Sequence, residues 1–148
     1  MTSGGARVRS GPMPDPNSGH SERVGYRLQA LPNEGYTGDI PDFPLAKYMI
    51  LKKDDEGNAV PDRYRMTQWR KREMTIWGTL WRSPQACAWS LPQYGYLIFD
   101  IAMYCRQFVI CESSGATASD RGLLPRYADR IGLSAAGMAA LGWKITAD

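Results

Sequence analysis

"TLWRSPQACAW", residues 79–89, sets two tryptophans on either side of an arginine and a Ser-Pro step. Serine is a favoured helix N-cap. Proline is favoured at the first helical position, where its missing N–H leaves nothing unpaired. The stretch therefore predicts that "LWR" ends one helix and "SPQACAWSL" begins a short second one, which Pro92 stops. Trp81 and Trp89 then flank a tight corner. That placement reads as helix–helix packing in preference to an exposed tryptophan binding surface.

Upstream of the corner, "TQWRKREMTIWGTLWR" (67–82) is predicted to be helical, with Thr67 as its N-cap. Trp69, Met74, Trp77, Leu80 and Trp81 recur as one apolar stripe, with Arg70, Lys71, Arg72 and Arg82 mostly off it. Gly78 is expected to weaken this helix by roughly 1 kcal/mol relative to alanine and to admit a close neighbour. Residues 47–66, "KYMILKKDDEGNAVPDRYRM", place two short extended runs around the polar turn "DDEGN", a small hairpin. Residues 36–46, "YTGDIPDFPLA", hold two prolines, each restricting the residue before it, so an extended segment across the body is expected. Residues 1–35 are rich in Gly, Pro and Ser and poor in large apolar side chains. They predict a disordered or extended tail in which Arg7, Arg9, Arg23 and Arg27 are solvated.

Downstream, "QYGYLIFDIAMYCRQFVICE" (93–112) predicts the longest buried helix. Leu97, Ile98, Ile101, Tyr104, Cys105, Phe108 and Val109 recur at spacings of three and four. So wide an apolar face fits a domain core, or a core plus a subunit interface. "SSGATASD" (113–120) is a loop in which Thr117 and Asp120 have capping-box spacing. A helix over 118–131 follows, with Pro125 expected to kink or restart it and Gly132 to end it. Ser134 caps a last short helix, "AAGMAAL", Gly142 closes that helix, and "WKI" anchors the chain. The fold class expected is all-α, a compact domain of four to five helices. Residues 67–148 form the helical core and oligomerisation domain, 36–66 an extended arm or hairpin, and 1–35 the tail.

The composition narrows the chemistry. The 148 residues are 43% hydrophobic, which suits one domain with a modest core. A net charge of +3 permits an anionic partner without demanding one. Cys87, Cys105 and Cys111 are odd in number and lack a CxxC spacing, which argues against a disulfide framework and for a reducing cytoplasm. The N-terminus has no apolar h-region of a secretory signal. The apolar run Tyr94–Cys111 carries Asp100, Arg106 and Gln107, which makes it a poor membrane span.

Enzymatic signals are scarce. His20 is the sole histidine and lies in the tail, against a histidine triad or a histidine-rich zinc site. There is no Walker loop and no GxGxxG. Asp54, Asp55 and Glu56 read as a solvated turn, not a metal site. Asp100 reads as a partner for Arg106 or as an interface hydrogen-bonding group. No catalytic residue, metal or cofactor is expected.

The stronger signal is basic. Arg63, Arg65, Arg70, Lys71, Arg72 and Arg82 crowd a short span, opposed inside it by Glu73 and interleaved with Tyr64 and Trp69. Such a cluster fits phosphate neutralisation and salt-dependent DNA binding, and it fits a solvated helix face equally well. The junction "RIGLS" has the outline of a helix-turn-helix step. Its second helix, "AAGMAAL", offers no polar side chain to read base edges, so packing is the better reading there.

Two motifs carry a resemblance. Trp77, Leu80, Trp81, Arg82, Ser83, Pro84, Gln85, Ala86 and Trp89 make up an "LWR-S-PQA-x-x-W" signature. Ile131, Gly132, Leu133, Ser134, Trp143, Lys144 and Ile145 make up a closing "IGLS…WKI" signature. With the helix between them, the chain resembles the small terminase subunit of tailed phages infecting actinobacteria. The longer 47–66 stretch and Pro125 depart from that family's pattern. The resemblance implies an oligomeric, non-catalytic DNA-recognition adaptor, a ring acting in the host cell cytoplasm. Its partners would be double-stranded phage DNA and the large terminase subunit, which holds the ATPase and nuclease; no membrane is involved. On that reading the six basic residues contact DNA, and Leu97, Ile101, Tyr104 and Phe108 supply the oligomer interface. A phage head–tail or virion structural adaptor, and a small DNA-binding transcriptional regulator, are the alternatives.

Overall fold

Asp62, not Thr67, starts the first helix. In the computed structural model, which describes residues 28–147, the Asp62 carboxylate accepts the Arg65 backbone N–H at 3.1 Å and helix α1 spans Arg63–Leu80. Aspartate is the better cap and comes first in the chain. Thr67 sits a turn inside, its hydroxyl donating to the Arg63 carbonyl at 2.9 Å. The buried stripe of α1 runs through Glu73, Ile76, Trp77 and Trp81, while Met74 is exposed. Glu73 therefore takes the place expected for Met74. An added Cβ at Gly78 would meet nothing within 4 Å, so no neighbour approaches it.

The corner forms as the Ser-Pro step predicts. Ser83 is extended (φ −73°, ψ 162°), and Pro84 opens α2, Pro84–Trp89. Ser83 does not cap α2 through its side chain; its hydroxyl donates back to the Leu80 carbonyl at 2.6 Å. Trp77, Trp81 and Trp89 meet in sequence, with ring centroids 5.7 and 5.4 Å apart. All three are at most 3% exposed, so the tryptophans are core.

The long helix is shorter than expected. Pro92–Leu97 is a 3₁₀ turn, and α3 spans Ile98–Glu112. Pro92 lacks an N–H and Gly95 is a poor helix former, so the first turn tightens instead of propagating an α-helix. Helix α4, Ala118–Ile131, begins with the full capping box. The Thr117 Oγ1 accepts the Asp120 N–H at 3.1 Å, and the Thr117 N–H donates to Asp120 Oδ2 at 2.9 Å. Pro125 lies within α4 without ending it. Pro125 and Arg121, whose carbonyl loses its donor, are both exposed, so water can replace the missing N–H. Gly132 (φ +83°) closes α4 in the left-handed region. Ser134 caps α5, Ala135–Leu141, accepting the Gly137 N–H at 3.0 Å.

Four short strands qualify the all-α reading of a mostly helical chain. Strand β1, Gln29–Leu31, pairs in parallel with β4, Trp143–Ile145, in the register Gln29↔Trp143 and Leu31↔Ile145. Leu31 is 1% exposed, so the body takes in residues assigned above to the tail. Arg7, Arg9, His20, Arg23 and Arg27 lie outside the described residues. The hairpin expected in 47–66 is present: β2, Leu51–Lys53, runs antiparallel to β3, Ala59–Pro61, and Asp54 accepts the Glu56 and Asn58 N–H groups to close the turn. Beyond Pro61, however, "DRYRM" is the cap and first turn of α1, not strand. No helix among the described residues is long and apolar enough to cross a membrane.

Candidate nucleic-acid interface

The six basic residues of α1 and its corner have different jobs. Arg82 donates from one nitrogen to the Tyr36 and Gly38 carbonyls, at 3.2 and 2.8 Å. Arg70 donates to the Leu45 carbonyl at 2.6 Å, lies 3.3 Å from Glu73, and stacks 4.9 Å over the Phe43 ring. With the Trp77 indole N–H donating to the Pro41 carbonyl at 2.8 Å, these contacts strap residues 36–46 along the body as an extended segment. An extended strap leaves most of its carbonyls without backbone partners, and side-chain donors from the body, the guanidinium groups among them, supply several. Arg70 is thus partly buried and already engaged, whereas Arg82 is exposed and holds the strap through one of its nitrogens.

Arg72 makes a two-pronged pair with Glu112, both N–O distances being 2.9 Å. That hydrogen-bonded guanidinium holds the Glu112 carboxyl below its ordinary value. Arg65 keeps a largely exposed side chain 3.5 Å from Asp62. Arg63 and Lys71 are exposed and make no ion pair among the described residues. The exposed cations of α1 that neither the strap nor Glu112 holds are therefore Arg63, Arg65 and Lys71. Lys52 and Lys53 of β2 are also exposed, and the hairpin register sets them opposite Val60 and Ala59, which precede α1 in the chain.

The anionic side of the site is buried. Glu73 is 0% exposed and receives Arg106 through two nitrogens, at 2.7 and 3.3 Å. Arg106 also donates to the Ala46 carbonyl at 2.5 Å. Asp100 does not meet Arg106; it lies 3.7 Å from Arg130 of α4. On α3, Asp100 and Arg106 are six residues apart, which turns them about 120° from one another around the helix. Burial also pushes the Cys105 thiol up to about 12, which fits a small core residue and not a nucleophile.

The four residues expected at an oligomer interface divide. Leu97 and Ile101 are 2% and 1% exposed within this chain's own core, so neither is available to another subunit. Tyr104 and Phe108 are half-buried against that core, their rings 6.2 Å apart. The exposed aromatics at the start of α3 are Tyr96 and Phe99, at 68% and 59%. They fall beside the three-and-four stripe, which marks what the monomer needs and not what it leaves over.

Gln85 and Trp89 complete the picture. The Gln85 side-chain amide donates to the Gly132 carbonyl at 3.1 Å, and the Trp89 indole N–H donates to the Ile131 carbonyl at 2.8 Å. Both bonds are buried, and they tie the end of α4 to α2. A Cβ at Gly132 would lie 2.3 Å from the Trp143 ring, so glycine is required there. Comparison with protein families, with curated proteins and with solved structures finds no match to this chain.

Proposed function

We propose that this chain is a terminase small subunit: an oligomeric, non-catalytic adaptor that binds double-stranded phage DNA and recruits the large ATPase/nuclease subunit. The observation that carries the reading is the meeting of the two signature motifs. Gln85 and Trp89 of the first hydrogen-bond to Gly132 and Ile131 of the second, and Gly132 lies against Trp143 of the second. The residues behind the resemblance thus form one packing unit, which supports the reading. DNA contact falls to Arg63, Arg65 and Lys71, with Lys52 and Lys53 of β2; Arg72 joins only by leaving Glu112.

The test is solution mass by light scattering, with and without a duplex from the packaging region, followed by a salt titration of binding. Replacing Arg63, Arg65 and Lys71 together by alanine removes three phosphate contacts. The slope of log affinity against log salt should flatten by about 2.7. Unchanged affinity and slope would remove these residues from the interface. An oligomer of fixed size that ignores DNA would favour the head–tail or virion adaptor, and a dimer on a compact palindrome the transcriptional regulator.

A further inference from the structure

Two apolar surfaces lie at opposite ends of helix α3. At its start, Tyr96 and Phe99 project as a knob, more than half exposed. At its far end, Ile110 helps to line an open groove of about 700 Å³ between the hairpin and α1. The groove wall includes Tyr48 stacked on Trp69, centroids 4.3 Å apart, and Met49 and Leu51, each 57% exposed. Phe99 and Ile110 are separated by about 16 Å along the helix, at 1.5 Å per residue. A rigid helix between them prevents a copy from seating its own knob in its own groove.

We propose that the groove receives the Tyr96–Phe99 knob of a second copy of this chain. The proposal rests on the oligomeric part of the reading above and names the surfaces that would build it. The charges at the two sites agree. The groove is lined by Arg65 and Asp120, and the knob is flanked by Asp100, the residue after Phe99, with Arg130 3.7 Å from it, so each surface offers the other one charge of each sign. Contact between unlike patches at opposite ends of one body is head-to-tail. Such contacts close into a ring when the rotation allows and otherwise run on as a filament.

The experiment uses two surface variants of the full chain, each checked for folding by circular dichroism. One carries Tyr96→Asp and Phe99→Asp; the other carries Met49→Glu and Leu51→Glu. Light scattering should show an oligomer for the unaltered chain and the 16.5 kDa single-chain mass for each variant alone. An equimolar mixture of the two should form particles of twice that mass and nothing larger. In that mixture one intact knob meets one intact groove, and both free ends are blocked. Variants that keep the parent's oligomeric mass would overturn this interface and leave the oligomeric reading standing. A mixture that stays at single-chain mass would overturn the pairing of unlike patches. An unaltered chain that is itself monomeric would overturn both.

Discussion

Removing the Glu73 carboxylate should destabilise the fold more than any other single charge change in α1. Glu73 is fully buried, and it faces Arg106, whose side chain is 15% exposed, and Arg70, at 21%. Breaking a buried pair from one side strands the partner charge and costs about 3–5 kcal/mol. Here two guanidinium groups are stranded, but each keeps a carbonyl acceptor, Ala46 or Leu45, and some contact with water. Glu73→Ala should therefore fall near the lower bound, about 3 kcal/mol. For a domain of this size that corresponds to a fall in Tm of roughly 10 °C. Urea denaturation and a thermal scan, both followed by circular dichroism, measure it. Arg72→Ala is the control, because its pair with Glu112 is solvent-exposed and such pairs contribute under about 1 kcal/mol. The strap should also report the change, since both stranded arginines hold it; amide exchange in residues 36–46 should rise in Glu73→Ala ahead of the rest of the chain. If Glu73→Ala and Arg72→Ala shift the urea midpoint equally, the buried cluster is not what holds the strap.

Three further outcomes follow from single contacts. Gly132→Ala forces a side chain into the left-handed region and against the Trp143 ring, so a loss of at least about 2 kcal/mol in urea denaturation is expected, and a loss near zero would refute the packing. Trp89→Phe keeps the ring but orphans the buried Ile131 carbonyl, which should cost about 1–3 kcal/mol by the same assay. The Thr117 backbone N–H, and after it the Thr117 hydroxyl, hold the Asp120 carboxyl below its ordinary value. A depressed carboxyl pKa contributes stability that is present above the unfolded value and lost as pH falls through the folded one. The gap in urea midpoint between the parent and Asp120→Ala should thus be widest above roughly pH 5 and shrink below about pH 4. A gap constant across that range would contradict the assignment.

What could be read from the sequence was local. Ser83-Pro84, the Thr117–Asp120 box, Ser134 and the two closing glycines each act within a few residues, and the structure keeps each boundary. The parts that could not be read depend on partners far along the chain. Arg70 and Arg82 look like free cations, and Arg106 like a partner for Asp100, until the carbonyls they serve, 25 to 60 residues away, are in place. Burial of the Glu73 carboxylate is legible only with its two guanidinium partners. Strand β1 is three residues long, too short to show a period of two, and its partner is β4 at the far end of the fold. Leu97 and Ile101 are hard to place for a different reason: a periodic apolar stripe cannot say whether its own chain or another covers it, and here their own chain does.

The pairing of β1 with β4 also orders events in time. Gln29 meets Trp143 across more than a hundred residues, while α1 through α5 each form from neighbours. Closing so long a loop costs entropy that only the finished core repays. On the ribosome, every described helix is made before β4 exists. Until then Gly132 has no Trp143 ring over it and β1 has no strand beside it. The helices thus come together around one open seam, and that seam shuts only when β4 reaches β1.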